Sequence, residues 1–282
     1  MTATDTMLAL PGLNMHVRDW GGEGRAVVLL HGLASNARIW DLVAPLLAQL
    51  GCRVVAIDQR GHGRTGKPPD GYDFPTITAD LEASIRQIQI EHPVMVGHSW
   101  GASVALNYAA TRRGDVSGAV LVDGGIFDMS SRMTWEEAEV QMAPPDLTRL
   151  TAERFIERAR SWGNALTWDE ATTGAVMGNF HTAHDGTIRP HLSRENHMKI
   201  LRALYDQRPQ ELFARVTCPV LIAPAGAVAS AGFLDRKREA VDRAVSSLPR
   251  ATARWFDDSV HDIPLHRPRE LAEAIGEFAE SL

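Results

Sequence analysis

The sharpest chemical signal in the chain is Gly97-His98-Ser99-Trp100-Gly101. It follows an apolar stretch, Val94 to Val96, and opens a helical pattern near Ala102. A G-x-S-x-G between strand and helix makes a turn so tight that a Cβ at either flanking glycine would strike backbone. The serine is pushed out at the end of the sheet, and the first amides of the helix face the space above it, where a developing negative charge is favoured. Ser99 is therefore the candidate nucleophile. His31-Gly32-Leu33 follows another apolar run, Ala26 to Leu30. A backbone amide there, that of Leu33, can pair with the amide of Trp100 to hold the oxygen of a tetrahedral intermediate, an oxyanion hole.

A serine nucleophile needs a base, and the base needs an orienting carboxylate that fixes one imidazole tautomer and stabilises the imidazolium. With this elbow the chain order is serine, acid, histidine. The late histidines are His261, after the strand-like Ala251 to Phe256 and the turn-like Asp257-Asp258-Ser259, and His266, nearer the closing helix. The position of His261 on the loop after the last strand favours it. The usual place for the acid is the loop after Pro219 to Ala223, but that loop carries no carboxylate before Asp235. Asp123 ends the apolar run Gly118 to Val122 at the same sheet edge. Asp123 is the preferred acid and Asp235 the alternative. Asp257, Asp258 and Asp262 stand too close to His261 in sequence to orient it.

These residues must be positioned by a sheet. Ala26 to Leu30, Arg53 to Ile57, Pro93 to Val96 and Gly118 to Val122 read as buried strands. Between them lie helical patterns at Trp40 to Leu50, Thr78 to Gln89 and Ala102 to Thr111. Unbroken apolar runs alternating with helices predict a parallel sheet covered on both faces. From about residue 127 to 208 the pattern changes to helical stretches at Trp135 to Met142, Ala152 to Trp162, Trp168 to Phe180 and Arg194 to Tyr205. Sheet signals resume at Pro219 to Ala223, and Pro268 to Phe278 predicts a closing helix with proline at its start. The reading is a sheet domain, residues 1–126 and 209–282, interrupted by a helical cap, 127–208, able to cover a site and exclude water.

The 282 residues are 44% hydrophobic, with a formal net charge of -6. No Lys/Arg block follows a phosphate backbone, so nucleic acid is not an expected partner. Cys52 and Cys218 adjoin apolar runs and read as reduced core thiols. The start lacks a basic segment followed by an apolar one, and no apolar run approaches the roughly 20 residues that span a membrane. The expectation is a soluble cytoplasmic protein, monomer or homodimer, needing no cofactor. His181, His184 and Asp185 suggest a metal site less than a helix end and a turn at Asp185-Gly186. Asp58 to Gly63 reads as a structural loop whose Asp and Arg pair beside the sheet. Trp100, His31, Trp135, Trp162 and Trp168 are candidates to line a substrate pocket, the cap tryptophans equally to pack the cap on the sheet.

Taken together, His31-Gly32, Trp40, Asp58 to Gly63, Gly97 to Gly101, Asp123 and His261 resemble the α/β-hydrolase superfamily across nearly the whole chain. The resemblance implies an α/β fold with a mostly parallel, doubly wound sheet and a helical cap inserted after the sixth strand. Around Arg60 to Pro68 the chain looks like the epoxide-hydrolase and haloalkane-dehalogenase branch, whose members carry Asp where this chain has Ser99. An acid after the earlier strand is similar to the zearalenone-lactonase type, which uses Glu where this chain has Asp123. The implied activity is hydrolysis of an apolar ester or lactone through an acyl-enzyme. A carbon–carbon bond hydrolase or a cofactor-free perhydrolase would use the same triad, and a hydrolase-fold small-molecule receptor is the non-enzyme alternative.

Overall fold

The chain opens with an antiparallel pair, β1 (Thr4–Leu10) and β2 (Leu13–Gly21), at one edge of an eight-stranded sheet. The apolar runs then become strands buried almost end to end: β3 (Ala26–Leu30), β4 (Arg53–Ile57), β5 (Val94–His98) and β6 (Gly118–Val122). After an excursion come β9 (Val220–Ala223) and β10 (Ala251–Ala253). The order across the sheet is β1-β2-β4-β3-β5-β6-β9-β10, and every pair from β4 to β10 is parallel. The computed structural model describes residues 2–147, 149–162, 166–227 and 230–282, without the side chains of Ser161 and Trp162. Trp162, as a pocket candidate, therefore lies outside the described side chains.

Successive residues of a strand point to opposite faces, and the two cores divide accordingly. Val28, Leu30, Met95 and Leu121 pack on one side, Val27, Leu29, Val94, Val96, Val120 and Val122 on the other. Each such buried aliphatic side chain contributes about 1.5–3 kcal/mol. The second face is covered by α1 (Ala44–Gln49) and the closing helix, α11 (Pro268–Glu280); the first by α2 (Phe74–Gln87) and α3 (Trp100–Thr111), among others. Helix α3 is buried from Trp100 to Leu106 and again from Tyr108 to Ala110, because its many alanines let it lie flat against β5 and β6.

Between β6 and β9 lie α4 (Trp135–Gln141), α5 (Ala152–Trp162), α6 (Glu170–Met177), α7 (Arg194–Asp206) and α8 (Pro209–Phe213), with a small hairpin of β7 (Phe180–Thr182) and β8 (Ile188–Pro190). This segment has a modest core of its own around Phe155, Ala159 and Ile188. It is fastened to the sheet unit by side chains. Asn36 Nδ2 donates to the Ala175 carbonyl (2.9 Å), Asn196 Nδ2 to the Tyr72 hydroxyl (2.7 Å) and Gln207 Nε2 to the Ser103 carbonyl (3.2 Å). Helix α9 (Ala231–Ser247) and the short α10 (Ile263–His266) complete the chain.

Several expectations need correction. The helix expected over Trp40 to Leu50 is a 3-10 turn, Ala37–Trp40, followed by α1, which starts at Ala44 with Pro45 in its first turn, where proline is well suited. The next helix begins at Phe74, four residues earlier than expected, where the Asp73 side chain caps the Thr76 amide. Beyond Ala253 the expected last strand has only an isolated bridge, Phe256 to Ala225. His181 to Asp185 lie on the β7–β8 hairpin and not at a helix end. Asp58 does not pair with Arg60. Arg60 reaches Asp80 on α2 (2.7 Å), whereas buried Asp58 accepts from His16 (2.7 Å) and from the amides of Ala37 (2.7 Å) and Arg64 (2.9 Å). Cys52 and Cys218 are both buried and unbridged. Among the described residues no helix is long and apolar enough to cross a membrane.

Candidate active site

Ser99 sits between β5 and α3 with φ 55° and ψ -119°, a region costly for any residue with a Cβ. The surroundings hold it there. Its amide donates to Val122 O (2.8 Å), and its carbonyl accepts from Ala102 N (3.0 Å). A Cβ on Gly97 would overlap the Gly101 carbonyl, and one on Gly101 would stand 2.5 Å from the carbonyl oxygens of His31 and Leu30. The glycines of the motif are thus required by close backbone approach. The same holds one strand over, where a Cβ on Gly124 would overlap the Ser99 carbonyl. Gly124→Ala should therefore lower stability by about 2 kcal/mol, the scale of overpacking a rigid site, and depress turnover as Ser99 shifts. Thermal melts and an ester assay check this; a variant with wild-type values in both would show that the contact yields.

The order along the site is Asp123, His261, Ser99. His261 Nδ1–H donates to Asp123 Oδ2 (2.6 Å), which leaves Nε2 to accept from the Ser99 hydroxyl (3.0 Å). The His261 carbonyl accepts from Nε2 of buried His98 (2.9 Å), which anchors the loop after β10. Asp123, at φ 47° just past β6, is 8% exposed. Its Oδ1 accepts from the Ala225 amide (2.9 Å) and from Lys237 Nζ (2.5 Å). Burial pushes the Asp123 carboxyl up, but the hydrogen bond and charge of His261, together with Lys237, win and hold it down at about 2. Partial burial pulls the His261 imidazole down, yet the hydrogen bond and charge of Asp123, aided by Asp262, raise it above the ordinary imidazole range. The imidazole is open to solvent over 54% of its side chain.

The loop opposite is braced by two buried imidazoles. His31 Nε2 accepts from the Gln59 amide (3.0 Å) and its Nδ1–H donates to Gly32 O (2.8 Å). His62 Nε2 accepts from the Ala34 amide (3.3 Å) and its Nδ1–H donates to Arg60 O (2.9 Å). Burial holds both rings below their usual range, so they stay neutral and can accept. Among the described residues no protein group accepts from the amides of Leu33 or Trp100, leaving both donors available to an oxygen above Ser99.

The structure thus brings together Ser99, His261 and Asp123, with the loop of Leu33 and the start of α3 beside them. Asp235 is exposed on α9, and no hydrogen bond joins it to His261. His266 Nδ1 contacts Ser259 Oγ (3.1 Å) near the same loop. His31 has both ring nitrogens committed within the protein. Trp100, 2% exposed, stacks on His62 at 5.3 Å and presents little surface to a ligand. Trp135 meets Tyr205 edge-on at 5.5 Å under Arg202, and Trp168 joins the small core of Phe155 and Ile188. Sequence reading missed Lys237. Its signal was present: in α9 it occupies a buried stripe with Ala240, Val241 and Ala244, spacing at which a charged residue is unusual. Among the described residues no cluster of three His, Cys, Asp or Glu is arranged to hold a metal ion.

Comparison with known proteins agrees with this fold. The family model for the alpha/beta hydrolase fold matches residues 25–210, about two thirds of the chain. A non-heme chloroperoxidase of Streptomyces lividans is 37% identical over 119 residues, 42% of this chain and 43% of that one. Epoxide hydrolase A of Mycobacterium tuberculosis is 37% identical over 107 residues, 37% of this chain and 33% of that one. The matched segment spans about two fifths of the length of such relatives. The crystal structure of E-2-(acetamidomethylene)succinate hydrolase superposes with a TM-score of 0.77 over 99% of both chains at 24% identity, a likeness of fold. The chain belongs to the alpha/beta hydrolase fold family.

Proposed function

We propose that the protein hydrolyses a carboxylic ester or lactone through an acyl-enzyme on Ser99. The observation that carries this reading is the unbroken hydrogen-bonded order Asp123–His261–Ser99 beside two uncommitted amides. In the first step the Ser99 hydroxyl proton passes to His261 Nε2 as Oγ bonds to the substrate carbonyl carbon. The carbonyl oxygen becomes an oxyanion, held by the Leu33 and Trp100 amides. Collapse breaks the carbon–oxygen bond to the leaving alcohol, and His261 gives it the proton. Water then attacks the acyl group with His261 as base, releasing the acid and restoring Ser99. A serine here forms an ordinary ester, so the epoxide chemistry named for one relative is not the favoured reading. In this reading the segment 127–208 is the cap over the site, and the substrate is a small apolar ester or lactone.

Similarity to a non-heme chloroperoxidase favours a second reading on the same residues, in which peroxide replaces water and a peracid leaves. A panel of p-nitrophenyl esters of rising chain length, with small and macrocyclic lactones and with and without peroxide, separates the two. Turnover without peroxide supports hydrolysis; turnover of none of these compounds sinks both.

The base works only when neutral. Because the folded imidazole is held above the ordinary imidazole range, kcat/KM for an activated ester should be low in acid and rise with pH, with a half-point above that of a free imidazole. A half-point at or below that of a free imidazole would mean that Asp123 does not raise the base.

A further inference from the structure

Lys237 has no place in the scheme above, yet it is one of the more unusual side chains in the molecule. It is 3% exposed, in a helical stripe otherwise made of Ala240, Val241 and Ala244. Its Nζ bonds Asp123 Oδ1 (2.5 Å) and donates to the Ala225 carbonyl (2.7 Å). Ala225 therefore serves the pair twice, its amide on the carboxylate and its carbonyl on the ammonium. The loop after β9, the usual place of the triad acid, here supplies the Ala225 amide to the carboxylate, and the helix that follows, α9, supplies Lys237.

A buried ion pair is seldom a net source of stability compared with well-packed apolar groups. What this one supplies is geometry and charge. Oδ1 is taken by Ala225 and Lys237, so Oδ2 alone faces His261, in one orientation. The ammonium also offsets the carboxylate. Without that cation, the buried Asp123 carboxylate would stabilise the His261 imidazolium more and raise the pH at which the base becomes neutral. We propose that Lys237 is a positioning residue of the Asp123–His261–Ser99 relay: it locks the carboxylate and offsets its charge, and so lowers the pH at which His261 becomes a working base. The link to turnover rests on the ester-hydrolase reading; the effect on His261 does not.

Other charged and titratable groups among the described residues also bear on His261. Asp123 and Asp262 favour its protonation, Lys237 opposes it, and the His98 ring lies 4.8 Å away. Burial and His261 itself keep His98 low, at about 4, so it carries no charge in the working range. Among the described residues, Lys237 is a cation that opposes protonation of the base.

The test is the titration of the His261 imidazole, followed by NMR in the whole protein, for wild type, Lys237→Met, Lys237→Gln and Lys237→Arg. Loss of the charge should move the midpoint up by about one pH unit, while arginine should leave it nearly in place. With an ester that is turned over, the acidic limb of kcat/KM should move equally, so activity falls several-fold near neutrality and recovers in alkali. An unchanged midpoint in a folded Met or Gln variant overturns the proposal. So does failure of both neutral variants to fold while the arginine variant folds, since Lys237 would then be only structural. A protein that turns over no ester overturns the functional reading but leaves the titration, and hence this inference, decidable.

Discussion

Ser99→Ala should abolish nearly all turnover, with kcat falling on the order of 10⁴ to 10⁶, the loss seen when the nucleophile of a serine protease is removed. What makes the expectation specific is a second variant, Ser99→Gly. The backbone at Ser99 lies at φ 55° and ψ -119°, where a Cβ costs on the order of 1–3 kcal/mol. Glycine relieves that strain, less the extra freedom it has in the unfolded chain, about 0.5–1 kcal/mol. Ser99→Gly should thus be inactive and yet more stable than wild type by about 1 kcal/mol, read as a higher midpoint in denaturant. Ester turnover and chemical denaturation measure the two effects. An alanine variant with near-normal turnover removes the mechanism; a glycine variant that is less stable means that the elbow holds no strain.

Asp123→Asn should cost about 10⁴ in kcat, the magnitude of the equivalent change in a serine protease. The amide NH₂ would face His261 Nδ1 and favour the tautomer with the proton on Nε2, which then cannot accept from Ser99. The structure adds a consequence. Lys237, 3% exposed and paired with Asp123, would lose its anionic partner, at a cost of about 3 kcal/mol. Inactivity and a lowered melting temperature should therefore appear together. Asp235→Asn, on the exposed face of α9, should lose less than about tenfold, roughly 1.4 kcal/mol of barrier. If the two variants exchange these outcomes, the acid is Asp235.

The parts of the fold that were legible in sequence are those in which every residue obeys one local rule. The strands β3 to β6 are apolar, apart from Arg53 at the start of β4 and His98 at the end of β5, because both faces are covered, and the elbow is marked by glycines that backbone contact demands. The opening pair was not read. Strand β1 is mostly exposed and β2 mixes His16, Arg18 and Asp19 with apolar residues, as suits an edge with water on one side. Helix boundaries near prolines differ from the expectation because proline sits in the first turn of α1 and α2, inside the helix rather than outside it. The roles of Asp58 and Lys237 could not be read from spacing at all. Each depends on partners brought together by the sheet: His16 and the Ala37 and Arg64 amides for one, Asp123 and the Ala225 carbonyl for the other.

The central claim, an acyl group carried on Ser99, is tested most directly by intact mass after a brief exposure to a short activated ester or a fluorophosphonate. The account predicts one added acyl or phosphonyl group in the wild-type chain, mapped by peptide digestion to Ser99, and none in Ser99→Ala. Label on another residue, or equal labelling of both proteins, would contradict it.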